Sequence, residues 1–187
     1  MTAPSKVFVV TGPSGVGKGT LIARVRELHP DLALSISATT RPPRPGEVDG
    51  RDYYFLSPME FARRVEAGEF VEHARYSGNS YGTLRSELDR HNDAGGVILE
   101  IEVQGARLIR DAMPEAHQIF IAPPAPETLE ERLTARGTDA PEVIAERLDV
   151  AREELAAAPE FQHVVVNDEL AAAVDELDAV IAPLLVH

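Results

Sequence analysis

The chain of 187 residues contains no cysteine and no tryptophan. Without thiols there is no disulfide, no thiolate nucleophile and no Cys-ligated metal, a composition that fits a reducing compartment. Lysine occurs only at Lys6 and Lys18, so nearly all of the 18 cations are arginine. Positive charge is scarce overall: 31 acidic residues against 18 cations leave a formal net charge of −13. That balance argues against a broad surface for nucleic acid or for an anionic membrane. No apolar run approaches the ~18 residues of a membrane span, and the stretch from Met1 to Lys6 has no apolar signal region. A soluble, cytoplasmic protein is expected. The histidines (His29, His73, His91, His117, His163 and His187) show no ligand spacing, which speaks against a metal centre held by the protein itself.

The composition that remains is 44 % apolar and 26 % charged, ordinary for one globular domain. The acid is unevenly spread. Residues 1–112 carry 14 cations and 15 anions, whereas residues 113–187 carry 4 and 16. A polyanionic ligand is therefore easiest to hold in the first part of the chain.

Short apolar β-branched runs alternate with helical periodicity. Val7–Val10, Leu32–Ser37, Val97–Ile101, Ile119–Ile121 and Val164–Val166 read as five strands. Helices are expected over Lys18–His29, Gln104–Met113, Pro126–Arg136, Pro141–Ala158 and Leu170–Leu185. Strands that are apolar throughout, separated by helices, predict a parallel sheet covered on both faces. Residues 41–94 break the alternation with Pro42, Pro43, Pro45, Gly46, Gly50 and the alternating Phe70, Glu72, Ala74, Tyr76, and predict a small β-rich insert.

Gly12-Pro13-Ser14-Gly15-Val16-Gly17-Lys18-Gly19-Thr20 lies between an expected strand and an expected helix. Glycines let successive backbone amides face one anion, and the helix N-terminus adds partial positive charge. Lys18 supplies a point charge for β/γ-phosphates. The general pattern continues with Ser or Thr after the lysine; here Gly19 follows, and Thr20 stands one residue late. In Thr39-Thr40-Arg41-Pro42-Pro43-Arg44-Pro45, prolines stiffen the backbone between two guanidinium forks, a fit for a phosphate dianion. The same prolines also form a PxxP segment that an SH3-like partner could bind.

These runs, with Asp52–Phe55, Glu69–Ala74, Gly78–Thr83, Leu99–Ala106, Arg132–Thr138 and Val165–Leu170, resemble the bacterial guanylate kinases in order and over roughly residues 5–183. The Gly-Lys-Gly-Thr form of the loop is similar to that of many small nucleotide kinases. The resemblance implies an α/β fold: a P-loop kinase core with a five-stranded parallel sheet (5–37, 95–126 and 153–183), an inserted GMP-binding region (38–94) and a helical lid (about 127–152). It implies ATP and GMP as substrates, with Mg²⁺ accompanying ATP. By the same resemblance the loop residues Gly12 to Thr20, with Arg132, Arg136 and Asn167, hold ATP. Arg41, Arg44, Tyr53 and Tyr81 hold the GMP phosphate, Ser37, Glu72 and Thr83 read the base, and Lys18, Arg41, Arg136 and Arg147 serve phosphoryl transfer.

The chemistry of Glu72 agrees with that role, because guanine offers N1–H and its 2-amino group as adjacent donors to a carboxylate. Adenine would leave it unpaired, a mismatch that can discriminate by roughly 10⁴–10⁵. Its alternating pattern also allows an outward strand position. Glu100 and Glu102 stand at the end of a parallel strand, suited to a Mg²⁺–water shell, a ribose contact or a solvated edge, and the resemblance implies that Glu102 binds GMP. Family members often carry Asp at the place of Glu102. Arg132 and Arg136, four apart on one helix, repel each other unless an anion joins them. Asn167 and Asp168 border the adenine pocket or form a turn. A kinase with another acceptor and a non-enzymatic guanylate-kinase-like interaction module are the competing readings.

Overall fold

The computed structural model describes residues 6–91, 93–135 and 141–185. Five parallel strands form the main sheet: β1 (Lys6–Thr11), β2 (Leu32–Leu34), β7 (Gly96–Glu100), β8 (His117–Ala122) and β9 (His163–Val166). Their order is β2-β7-β1-β8-β9. Strand β1 is central because both of its faces are apolar. Val7 and Val9 pack with Val97, Leu99, Ala106 and Ile109 on one side. Phe8 and Val10 pack on the other side with Leu21, Ile22, Val25, Leu177 and Ile181. Helix α1 (Lys18–Leu28) and helix α7 (Leu170–Ile181) cover that second face, and α4 (Val103–Ala112) covers the first. An element sequence of strand, helix, strand with both faces buried follows from the continuous Val/Ile/Leu runs.

Strand β2 ends at Leu34, three residues short of the expected Ser37. The reason is a change of partner. Ser35 still donates its N–H to the carbonyl of Ile98, but the next residues leave the main sheet for a second one. Helix α7 likewise stops at Ile181, and Pro183 turns the remainder into a short 3₁₀ segment.

The second sheet is four-stranded, in the order β4-β3-β6-β5, built from β3 (Ala38–Thr39), β4 (Tyr54–Phe55), β5 (Phe70–Tyr76) and β6 (Asn79–Leu84). It carries two helices that the Pro-, Gly- and aromatic-rich composition does not predict, α2 (Pro58–Glu66) and α3 (Arg85–Arg90). Ser57 caps α2 by accepting from the Glu60 amide at 3.1 Å, with Pro58 at the first helical position. A separate small core of Ala38, Phe61, Phe70 and Leu84 supports this sheet, with Phe61 and Phe70 stacked at 4.5 Å. Helices α5 (Pro126–Ala135) and α6 (Pro141–Ala156) follow β8.

Candidate active site

The loop after β1 leaves the sheet at its C-terminal edge, the usual place for a ligand in a parallel α/β fold. Gly17 precedes α1 with φ +98°, and a Cβ there would stand 2.6 Å from the Asn167 side-chain nitrogen. No side chain caps α1, so the amides of its first turn are left for an anion. Asn167 donates from Nδ2 to the Val16 carbonyl at 2.8 Å. Arg132 donates to the carbonyls of Val16 at 3.3 Å and Asn167 at 2.9 Å. The end of β9 and helix α5 thereby brace the loop from behind. Lys18 curls back over it, its Nζ donating to the carbonyls of Gly12 at 2.5 Å and Pro13 at 3.3 Å.

A cavity of about 480 Å³ opens in front of the loop, between the two sheets. Gly12, Ser14 and Lys18 line it from the core, and Ser37, Arg41, Arg44, Tyr53, Glu72 and Tyr81 from the insert. Glu100, Glu102 and Arg147 also reach it. Residues 16–20 other than Lys18 belong to the loop but not to the cavity wall, and Gly19 and Thr20 are exposed on α1. Arg132 and Asn167 meet the loop rather than the cavity, Asp168 is exposed, and Arg136 lies outside the described residues.

Glu72 is 4 % exposed on β5, directly opposite Thr83 of β6, whose hydroxyl donates to Glu72 Oε1 at 2.8 Å. Thr83 is fully buried and stands behind the carboxylate instead of lining the cavity. Burial, opposed by the Thr83 hydrogen bond and reinforced by the charge of Glu102, pushes the Glu72 carboxyl up to about 7. Gly105 leaves room for it: a Cβ at that position would come within 2.9 Å of Glu72 Oε2. Glu102 does not end a strand but caps α4, accepting from the Gly105 amide at 3.2 Å through Oε1. Its Oε2 is buried without a partner, and burial raises its pKa.

Three acidic residues that the motif reading passes over shape the site. Glu47 holds the Arg41 guanidinium at 2.8 Å and accepts the Arg44 amide at 2.6 Å. The hydrogen bond from Arg41 keeps Glu47 below the usual carboxylate range. Arg41 is thus aimed across the Tyr53 ring, 5.3 Å from its centroid. Spacing was the available signal, since Glu47 follows the two arginines by six and three residues. Glu154, on α6 seven residues after Arg147 and so on the same helix face, lines the cavity and is 8 % exposed. Burial pushes its carboxyl up to about 7, opposed by Lys18 and by a hydrogen bond from the Ser14 amide. Glu87, on α3 within the insert, is buried and accepts the amide of Ile36, a residue of the cavity wall.

Among the described residues no group of three or more His, Cys, Asp or Glu is placed to hold a metal ion. Glu100 at the cavity edge suits a water-mediated contact to Mg²⁺, which keeps much of its hydration and binds largely through substrate phosphates. The donor set therefore fits an ion that arrives with a nucleotide. Among the described residues no helix is long and apolar enough to cross a membrane.

The chain is similar to known proteins over nearly its whole length. The guanylate kinase family model matches residues 4–183. A guanylate kinase of Frankia casuarinae is 56 % identical over 177 residues, covering 94 % of this chain and 96 % of that protein. One from Gloeobacter violaceus is 55 % identical over 175 residues, covering 93 % and 85 %. The crystal structure of guanylate kinase from Anaplasma phagocytophilum superimposes with a TM-score of 0.76 at 30 % identity, over 98 % of this chain and 88 % of that one. The chain belongs to the guanylate kinase family and is an enzyme, a nucleotide kinase acting on GMP.

Proposed function

We propose that the chain transfers the γ-phosphoryl group of ATP to GMP. A phosphate oxygen of GMP forms the new P–O bond, the bond from γ-phosphorus to the β–γ bridging oxygen breaks, and ADP leaves with that oxygen. The acceptor is already an anion, so no strong base is needed; positioning, charge neutralisation and exclusion of water supply the rate. The observation that carries the reading is the single cavity joining Lys18 and Ser14 of the loop to Arg41, Tyr53, Tyr81 and Glu72 of the insert.

Loop amides from Gly12 to Thr20 and Lys18 take the ATP phosphates. Arg41, Arg44, Tyr53 and Tyr81 take the GMP phosphate, with Glu47 aiming Arg41. Glu72 accepts the two guanine donors, Thr83 orients Glu72, and Ser37 meets the base edge. Glu102, which caps α4 and lines the cavity, contacts GMP. Arg147 and Arg136 neutralise charge on the transferred group, and Arg132 and Asn167 hold the loop and the adenine side. Mg²⁺ bound to ATP would supply further charge neutralisation, and Glu100 at the cavity wall would hold it through water. Residues 127–152 act as a lid and 38–94 as the GMP-binding part, closing over the core to keep water from ATP.

The competing acceptors are disfavoured by the buried Glu72–Thr83 pair, which an adenine or pyrimidine would leave unpaired. An intact loop with a docked lysine disfavours a purely structural module. The test is ADP release from ATP with GMP, AMP, CMP, UMP, dTMP and ribose phosphates, each with Mg²⁺ and with a chelator. Turnover confined to GMP and to Mg²⁺ supports the reading; turnover with AMP but not GMP overturns it.

A further inference from the structure

Glu87 is a charged side chain that phosphoryl transfer as derived above does not use, yet it is 2 % exposed. Its place in the backbone network is specific. At the exit of β2, Ser35 donates its N–H to the Ile98 carbonyl of the main sheet at 2.9 Å. Two residues on, the Ser37 carbonyl accepts the Tyr54 amide of the small sheet at 2.9 Å. Ile36 lies between the two ladders, and its N–H donates to Glu87 Oε2 at 2.9 Å. The other carboxylate oxygen, Oε1, accepts the Tyr54 hydroxyl at 2.7 Å. Arg90 stands 3.6 Å from Oε1, offsetting the buried charge, and His91 Nε2 lies 3.8 Å from Oε2. One carboxylate therefore ties α3, β4 and the strand exit together where the chain passes from core to insert.

We propose that Glu87 is a positioning residue for the acceptor nucleotide: through the Ile36 amide and the Tyr54 hydroxyl it sets the Leu34–Ser37 segment, and so the Ser37 hydroxyl, on the cavity wall. This rests on the reading that Ser37 meets the GMP base. Leu34, Ser35, Ile36 and Ser37 all line the cavity, so a shift of this segment moves one wall of the acceptor site while leaving the phosphate loop in place. The Ile36 amide is part-buried at the cavity wall, so removal of the carboxylate leaves an N–H that must find another partner and loosens the segment that carries it.

Steady-state kinetics and hydrogen exchange test this. Glu87→Ala raises the KM for GMP roughly tenfold, a factor equivalent to about 1.4 kcal/mol, while the KM for ATP stays within about twofold. Glu87→Gln restores most of the loss, since its amide oxygen can accept from Ile36 while its NH₂ donates to the Tyr54 oxygen. Tyr54→Phe, which removes one contact only, shifts the same KM by a smaller factor and covers the case in which Glu87→Ala does not fold. Combined with Ser37→Ala, Glu87→Ala adds little further, because both act at one place. In nucleotide-free protein Glu87→Ala speeds amide exchange at residues 35–38 and leaves β1 protected. An unchanged GMP KM in both variants, parallel shifts in both KM values, multiplicative effects with Ser37→Ala, or unchanged exchange at 35–38 each overturn the inference. Absence of GMP turnover in the unmodified protein would instead overturn the functional reading, and the exchange measurement would still decide the positioning role.

Discussion

Replacing Glu72 by Gln is expected to lower GMP use and raise stability together, a combination that a merely structural residue would not give. Glu72 is buried, with one oxygen occupied by the Thr83 hydroxyl at 2.8 Å. In the proposed complex the carboxylate accepts from guanine N1–H and the 2-amino group, and hydrogen bonds to a charged acceptor contribute about 1.5–3 kcal/mol each. Glutamine keeps one neutral bond and turns its NH₂ toward the other donor. The net loss is about 2–4 kcal/mol, or roughly 30- to 1000-fold in kcat/KM for GMP, with the ATP parameters nearly unchanged.

The stability effect has the opposite sign. Burial raises the folded-state pKa of Glu72 to about 7, above its ordinary 4.5. The folded state thus binds a proton more tightly than the unfolded chain. Below pH 4.5 this difference costs nothing, and above about 7 the full penalty of about 3 kcal/mol is present. Glutamine carries no such penalty, so at pH 8 the variant melts higher, by about 6–12 °C for a chain of this size, and at pH 4.5 the gain disappears. ADP release against GMP concentration and circular-dichroism melting at the two pH values read both effects; the lack of tryptophan makes intrinsic fluorescence a poor substitute. Equal losses for GMP and ATP, or no rise in Tm at pH 8, would refute the reasoning.

Three other outcomes are expected. Because Glu72 must be ionised to accept two donors, equilibrium affinity for GMP falls by up to about tenfold per pH unit below about 7; Glu72→Gln removes this dependence, and the ratio of the two proteins' affinities cancels the nucleotide's own phosphate ionisation. The groups facing Glu72 are the Thr83 hydroxyl and Glu102, beside Gly105, and only Glu102 adds charge. Lys18→Met leaves the circular-dichroism spectrum intact and lowers kcat by about 10²–10³; near-normal turnover would remove its catalytic role. Gly17→Ala forces a side chain into φ +98° and against Asn167 Nδ2, so denaturant titration should show a loss of about 1–3 kcal/mol together with a raised KM for ATP.

How much of this was legible before folding depends on the range of the interaction. The phosphate loop is local: Gly12 to Thr20 are adjacent in the chain, and strand, turn and helix start are written there in glycine, lysine and hydrophobic period. The five core strands are equally legible, because a strand buried on both faces must be apolar throughout. Helices α2 and α3 escaped because they are short, nine and six residues, and sit among turn residues and an alternating strand pattern, although Ser57-Pro58 with Glu60 is a local capping signal. Glu102 shows the limit of position along a strand. The chain turns into α4 at that residue, and the carboxylate closes a helix end.

By itself, then, the sequence determined the fold class, the anion-binding loop and the arginine pair, since each depends on residues within one turn or strand. It also settled that −13 net charge excludes a basic surface without excluding a phosphate pocket. Tertiary structure alone brought Glu47 and Glu154 to that pocket, beside the Glu72 and Glu102 that the resemblance implied, and decided the state of the buried acids. Glu72, Glu102 and Glu154 come from β5, the start of α4 and α6, and no spacing in the chain relates them. Their raised pKa values arise from burial, a property of the assembled sheets and helices, not of any local segment. The same holds for Glu87, whose carboxylate meets an amide 51 residues away only after the two sheets have joined.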